Sequence, residues 1–233
     1  MTQRPALVLT LAAVLLSAGG SARAEVASST SAHFVRRLQA GEKQTVVYYG
    51  TSLTAAGAWT RLLTERLQAT YADRITAHNS GGAGMHSGWG VDNLQQRVIT
   101  LQPDVVFIEF SINDAVARFN LSPARARANL ERMIDRIQAE LPGCEIILQI
   151  MNPVLDKPEG DSGWRPTLAE CQQGYREVAA ERGVLLVDHM PAWSRLLAED
   201  EPRFRSYVPD GVHPVEAGWR EVVMPELLRR IGL

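Results

Sequence analysis

Cysteine is nearly absent from this 233-residue chain, which holds only Cys144 and Cys171. That excludes a disulfide-framed small domain and a zinc site built on paired thiolates. A surplus of one charge is absent too: 24 Lys and Arg stand against 26 Asp and Glu, for a formal net charge of -2. With no basic excess to neutralise phosphates, nucleic-acid binding is not expected. There is no G-x-x-x-x-G-K-[ST] phosphate loop, no G-x-G-x-x-G dinucleotide fingerprint and no G-x-S-x-G elbow. The histidines His33, His78, His86, His189 and His213 form no H-E-x-x-H pair. No metal and no cofactor is therefore expected. His86 and His189 read as solvated side chains near the rim of the fold.

Long apolar runs are missing as well. The longest, Ala6 to Ala18, falls short of the roughly 20 residues that a bilayer span needs. With Arg4 before it and Ala22-Arg23-Ala24 after it, the run reads as a cleavable export signal over residues 1–24. Export predicts a periplasmic or secreted protein with no stable membrane span once the signal is removed. Cleavage takes away Arg4 and Arg23 but no acid, leaving a formal charge of -4. An oxidising compartment would permit a Cys144–Cys171 bridge. The two are expected to stay unpaired, because a strand of roughly 20 Å separates them and a bridge tolerates a Cα separation of only about 4.4 to 6.8 Å.

What is present is 45% hydrophobic and 21% charged sequence, enough to bury a core. Residues 25–40 read as a lead-in with a short helix at His33 to Gln39, and residues 41–233 as one domain. Short β-rich runs at Thr45 to Tyr49, Arg74 to His78, Asp104 to Phe110, Glu145 to Met151 and Val184 to Asp188 alternate with segments of helical period. Helices are expected at Ala58 to Tyr71, Val91 to Leu101, Pro123 to Leu141, Pro166 to Arg182 and Val215 to Ile231. The clearest is the third, where Leu130, Met133, Ile134, Ile137 and Leu141 make one apolar stripe behind a Ser122-Pro123 start. Continuous apolar strands such as Val105-Val106-Phe107-Ile108 belong in a parallel sheet covered on both faces. The expected fold is α/β, a three-layer α/β/α sandwich around a five-stranded parallel sheet of flavodoxin-like type. In such sheets chemistry gathers at the carboxyl ends of the strands.

Four strand-end or late loops carry reactive or donor-rich groups. Tyr49-Gly50-Thr51-Ser52-Leu53-Thr54 follows the first strand, and Ser52 there is either a nucleophile or a helix cap. Asn79-Ser80-Gly81-Gly82-Ala83-Gly84 follows the second and is either a source of bare backbone N–H groups or a flexible turn. Phe110-Ser111-Ile112-Asn113-Asp114 follows the third and offers the Asn113 amide. Pro209-Asp210-Gly211-Val212-His213-Pro214 places a carboxylate and an imidazole on one loop. Singly each has an ordinary structural explanation. Together, at one sheet edge, they make a complete acyl-transfer site.

These four blocks resemble those of the SGNH hydrolase superfamily, also called GDSL-type esterases and lipases. Ser52, Gly84, Asn113 and His213 match the four residues of that name, and Asp210 matches the acid of the family's D-x-x-H block. The resemblance implies a carboxylic ester hydrolase with a Ser52-His213-Asp210 triad. It also implies an oxyanion hole made by the N–H groups of Ser52 and Gly84 and the Asn113 amide. Two positions depart from the family pattern: Thr51 stands where the family block has Asp, and Ser111 where it has Gly. Gly160-Asp161-Ser162-Gly163 looks closer to the family name, but no strand runs into it, so Ser162 is not taken as the nucleophile.

The partner expected is a small-molecule or glycan ester. Trp89, Trp164 and Trp59 lie near the predicted rim and suit a sugar carrying short acyl groups, with Trp89 and Trp164 as candidate platforms. The alternatives are a lysophospholipase or acyl-thioesterase acting on longer chains, and an inactive carbohydrate-binding module on the same scaffold.

Overall fold

Five runs of β-branched and aromatic residues form five strands in the computed structural model, which describes Met1 and residues 31–233. The predicted export signal falls on residues that, Met1 apart, lie outside the described ones. The strands are β1 (Gln44–Gly50), β2 (Ile75–Asn79), β3 (Val105–Glu109), β4 (Glu145–Ile150) and β5 (Leu185–Asp188). They pair in parallel in the order β2-β1-β3-β4-β5, the flavodoxin-like order expected of this α/β fold.

Alternation along each strand sends side chains to two separate cores. Val46, Tyr48, Phe107, Ile147 and Val187 pack with Phe34, Trp59, Trp193 and Trp219 on one face. Val47, Tyr49, Val106, Ile108 and Leu148 pack with Leu94, Leu130, Ile134 and Tyr175 on the other. Helices Ala58–Tyr71 and Met224–Ile231 cover the first face, and helices Ser87–Arg97, Pro123–Glu140 and Leu168–Arg182 the second.

Several expectations are revised. The short helix expected at His33–Gln39 forms, but its Phe34, Val35 and Leu38 are fully buried, so the segment read as a lead-in belongs to the packed unit, which extends upstream of residue 41. Its free N-terminal N–H groups are held by a carboxylate: Glu145 accepts from His33 at 2.8 Å and from Phe34 at 2.7 Å. Two helices, Met190–Glu199 and Glu201–Tyr207, occupy a stretch left without structure in the sequence reading. Pro191 and Pro202 stand in the first turns of these helices, where proline is tolerated. The last helix is not continuous: Trp219–Val223 is a π-helical turn ahead of Pro225, whose ring cannot accommodate the carbonyl of Glu221 in ordinary helical geometry.

Cys144 is half-buried just before β4, and Cys171 is buried beside Ala115 and Ala126; both are free thiols. Among the described residues no helix is long and apolar enough to cross a membrane.

Candidate active site

Strand order decides which loops meet. β1 lies between β2 and β3, so the turns leaving all three emerge side by side at their carboxyl ends. The β1–β3 register pairs Gly50 with Glu109, which sets Ser52 and Asn113 above adjacent strands and places Glu109 beneath the Ser52 turn. Thr51 caps the one-turn helix Ser52–Ala55 by accepting the N–H of Leu53 at 3.1 Å.

The acid–base loop arrives from the far end of the chain and is fixed by the segment that leaves β4. Leu155 donates its N–H to Gly211 O at 2.9 Å, and Asn152 donates Nδ2–H to Val212 O at 2.8 Å. Gly211 has φ of +76°, and a Cβ there would strike the Leu155 carbonyl, so only glycine fits. Held this way, His213 presents Nε2 to Ser52 Oγ at 2.9 Å and Nδ1 to Asp210 Oδ2 at 2.6 Å. A carboxylate only accepts, so Nδ1 carries the proton and Nε2 is left to accept from the serine hydroxyl. Asp210 Oδ1 also accepts the N–H groups of Val212 at 2.9 Å and His213 at 2.7 Å. Partial burial works to raise its pKa, but the His213 amide and ring and the Val212 amide outweigh that and bring the carboxyl down to about 2.

The candidate oxyanion donors are the N–H groups of Ser52 and Gly84 and the Asn113 amide. Among the described residues, neither the Ser52 N–H, which opens its helical turn, nor the Gly84 N–H has a backbone acceptor. Gly84 has φ of +72° and lies within a turn closed by Met85 N–H to Gly82 O at 3.1 Å. The other two glycines of the block are committed elsewhere, Gly81 N–H to Asn79 Oδ1 at 3.1 Å and Gly82 N–H to Gly50 O at 2.8 Å. Asn113 is buried and donates one Nδ2–H to Met85 O at 2.9 Å, leaving the second for a ligand.

Beneath this arrangement lie two carboxylates that the sequence reading did not single out. Glu109 is 2% exposed and accepts from Thr51 N at 2.7 Å, Thr51 Oγ1 at 2.9 Å and Thr54 Oγ1 at 2.7 Å. Burial lifts its pKa to about 7 against the pull of those donors. Asp114, fully buried, accepts the Ser87 N–H at 2.7 Å and so anchors the helix after the glycine block; burial raises it to about 7 as well. An acid closing an otherwise apolar strand was the available sign of Glu109. Ser87 opens its helix four residues before the expected start because this distant carboxylate and the His86 ring cap it.

The remaining candidates part company. Trp89 packs against Tyr49 and Phe110, with Arg97 over its ring, and a Cβ on Gly82 would meet its edge. It is half-buried behind the glycine block. Trp59 is wholly in the core. Trp164 is half-buried on the loop between β4 and the next helix, its carbonyl accepting from Ala117 N at 2.9 Å. Ser162 lies exposed on the same loop and its carbonyl accepts from Arg118. His189, expected in solvent, is fully buried with Nε2 on Gln149 Oε1 at 3.1 Å, and desolvation lowers it to about 4. His86, also expected in solvent, is half-buried against the Phe119 ring at 4.7 Å. Among the described residues no group of three or more His, Cys, Asp or Glu is placed to hold a metal ion.

Residues 40–220 match the model of the GDSL-like Lipase/Acylhydrolase family. Among solved structures, the acetylxylan esterase Axe2 of Geobacillus stearothermophilus is similar at 22% identity and a TM-score of 0.69, over 83% of this chain and 96% of that one. LAE5, an α/β hydrolase enzyme from the metagenome of Lake Arreo in Spain, is similar at 24% identity and a TM-score of 0.68, over 82% and 96%. At such identities the likeness speaks for the fold. No curated protein matches significantly.

Proposed function

The chain belongs to the GDSL-like lipase/acylhydrolase family and is a carboxylic ester hydrolase, and from that premise we propose that it is an exported serine esterase removing short acyl groups, such as O-acetyl, from carbohydrate. Ser52 is the nucleophile, His213 the general base and then acid, and Asp210 the group that orients the ring and stabilises the imidazolium. The single observation that carries this reading is the Ser52 Oγ to His213 Nε2 contact of 2.9 Å, continued to Asp210 at 2.6 Å.

In the first half-reaction Ser52 Oγ attacks the ester carbonyl carbon while its proton passes to His213 Nε2. The carbonyl oxygen gains the charge, and the N–H groups of Ser52 and Gly84 and the free Nδ2–H of Asn113 receive it. Collapse expels the alcohol, protonated by His213, and leaves an acyl-serine. Water, deprotonated by the same ring, then releases the acid and restores Ser52.

Short acyl groups are favoured because the site is open. The side chains of His213 and Asp210 are about half exposed, at 48% and 53%, and among the described residues the only large apolar side chains exposed beyond Met1 are Met85 and Val215. A long acyl chain would need an apolar channel leading to Ser52. A cavity of about 760 Å³ lies instead at the opposite end of the strands, lined by His33, Glu145, Arg176 and Arg230. The acetylxylan esterase name of a structural neighbour agrees with a carbohydrate ester.

The test is turnover on p-nitrophenyl esters from acetate to palmitate, and on acetylated xylo-oligosaccharides, for the parent and Ser52→Ala. The expected result is kcat/KM highest at acetate, release of acetate from the oligosaccharide, and loss of all activity and of fluorophosphonate labelling in Ser52→Ala. Preference for palmitate would replace the substrate class with long-chain esters. Labelling that persists in Ser52→Ala would move the nucleophile elsewhere.

A further inference from the structure

The loop between β4 and the helix Leu168–Arg182 carries the Gly160-Asp161-Ser162-Gly163 sequence that mimics a nucleophile block, and its actual product is the placement of Arg165. Asp161 folds the loop locally: its N–H donates to Pro158 O at 3.0 Å, its Oδ1 accepts Gly163 N–H at 2.6 Å, and its carbonyl accepts Trp164 N–H at 3.0 Å. Arg118 Nη1 to Ser162 O and Ala117 N to Trp164 O, both at 2.9 Å, tie the turn to the segment just after Asn113.

Arg165 then points back into the site. Its Nε donates to Ile112 O at 2.8 Å, Nη1 to Gly163 O at 2.6 Å and Nη2 to Asn113 Oδ1 at 3.2 Å. All three acceptors are uncharged oxygens. Burial lowers the guanidinium pKa, Arg118 adds to that, and Asp161 and Asp210 oppose it through space. A partly buried cation without a carboxylate directly on it is costly to keep. Its charge is at hand where an oxyanion would form.

We propose that Arg165 is a positioning residue of the oxyanion site, fixing the Asn113 amide in its donating orientation and polarising it toward the developing charge. A guanidinium only donates and the Met85 carbonyl only accepts, so the Asn113 amide has one orientation that satisfies both, with its nitrogen turned to the site. Withdrawing electron density from Oδ1 makes the remaining Nδ2–H a stronger donor. Without Arg165 the Asn113 amide keeps only its Met85 bond at Nδ2, and Oδ1 loses its charged partner. This role rests on the Ser52-centred reading and gives the β4 loop a place in it.

The experiment is a double-mutant cycle on p-nitrophenyl acetate: parent, Arg165→Ala, Asn113→Ala, the double variant, and Arg165→Lys, with thermal melting of each. Arg165→Ala is expected to lower kcat about ten- to a hundredfold, less than loss of the donor itself, at nearly constant KM. In the Asn113→Ala background the same change should alter kcat less than about twofold, because the group it acts through is gone. Arg165→Lys should fall between parent and Arg165→Ala, since one ammonium cannot reproduce the fork; it replaces Arg165→Ala in the cycle if that variant does not fold. An equal loss of kcat in both backgrounds, or a raised KM with parental kcat, overturns the proposal alone. Parental kcat in Asn113→Ala overturns the oxyanion assignment, and the proposal with it.

Discussion

Thr51 gives both its backbone N–H and its hydroxyl to one carboxylate oxygen of Glu109, at 2.7 and 2.9 Å. The turn that presents Ser52 is thus clamped from below by an acid on the neighbouring strand, and Thr54 adds a third donor to the same oxygen. Glu109→Ala should strand these buried donors and destabilise the fold by about 3 kcal/mol or more. Glu109→Gln keeps an acceptor oxygen in place and should retain most stability and activity. Urea denaturation and kcat on an acetate ester distinguish the two; equal losses in both variants would show that the charge, not the acceptor, is needed.

Burial also gives the fold a definite pH dependence. The unfolded chain loses the protons of Glu109 and Asp114 near 4.5 and 3.8, whereas the folded chain holds them to about 7. The folded state therefore binds more protons in between, and stability should fall as pH rises from about 4 to about 7. Asp210 acts in the other direction: lowered from 3.8 to about 2, its contribution is complete above 3.8 and is lost as pH falls through 2. Melting temperatures across pH 3 to 8 should show the decline, and Glu109→Gln should flatten it. A parallel slope in that variant would mean that Glu109 is ionised in the folded protein throughout.

Asp210→Asn tests the tautomer. Asn Oδ1 would keep the amides of Val212 and His213, which leaves Nδ2 to donate to the ring where a carboxylate now accepts. The ring proton would then move to Nε2, and the nitrogen facing Ser52 could no longer take a proton. The expected loss in kcat is on the order of 10⁴ with little change in melting temperature. A variant within tenfold of the parent would show that Asp210 does not set the His213 tautomer.

Trp89 and Trp164 should separate by what they affect. Trp89→Ala removes a ring packed on Tyr49 and Phe110 and should cost about 2 to 3 kcal/mol of stability. Trp164 is the better candidate for sugar stacking, so Trp164→Ala should raise KM for an acetylated oligosaccharide several-fold while leaving p-nitrophenyl acetate unaffected. The opposite pattern would return the platform to Trp89.

Much of the architecture was legible in the sequence where one physical demand dominated. Val105 to Ile108 had to be a strand covered on both faces, and Leu130, Met133, Ile134 and Ile137 had to be one buried stripe. Ser52, Asn113, Asp210 and His213 could be proposed from the sequence because each sits in a local block. What escaped notice depends on partners distant in the chain. Arg165 has no motif around it, and its role becomes visible only once the loop folds back on Ile112 and Asn113. Glu109 was counted within a strand, yet its three donors come from residues more than fifty positions earlier. The helices Met190–Glu199 and Glu201–Tyr207 are short, of 10 and 7 residues, which leaves little length for an apolar period to show.

The stretch from Asn152 to Arg165 holds both sides of the candidate site, Val212 and Gly211 at one end and Asn113 at the other. Shortening it, or transplanting it between relatives, would disturb the histidine and the asparagine at a stroke. Diversity in this connection should therefore shift preference and speed in concert, making it the natural place to begin redesigning what the enzyme accepts.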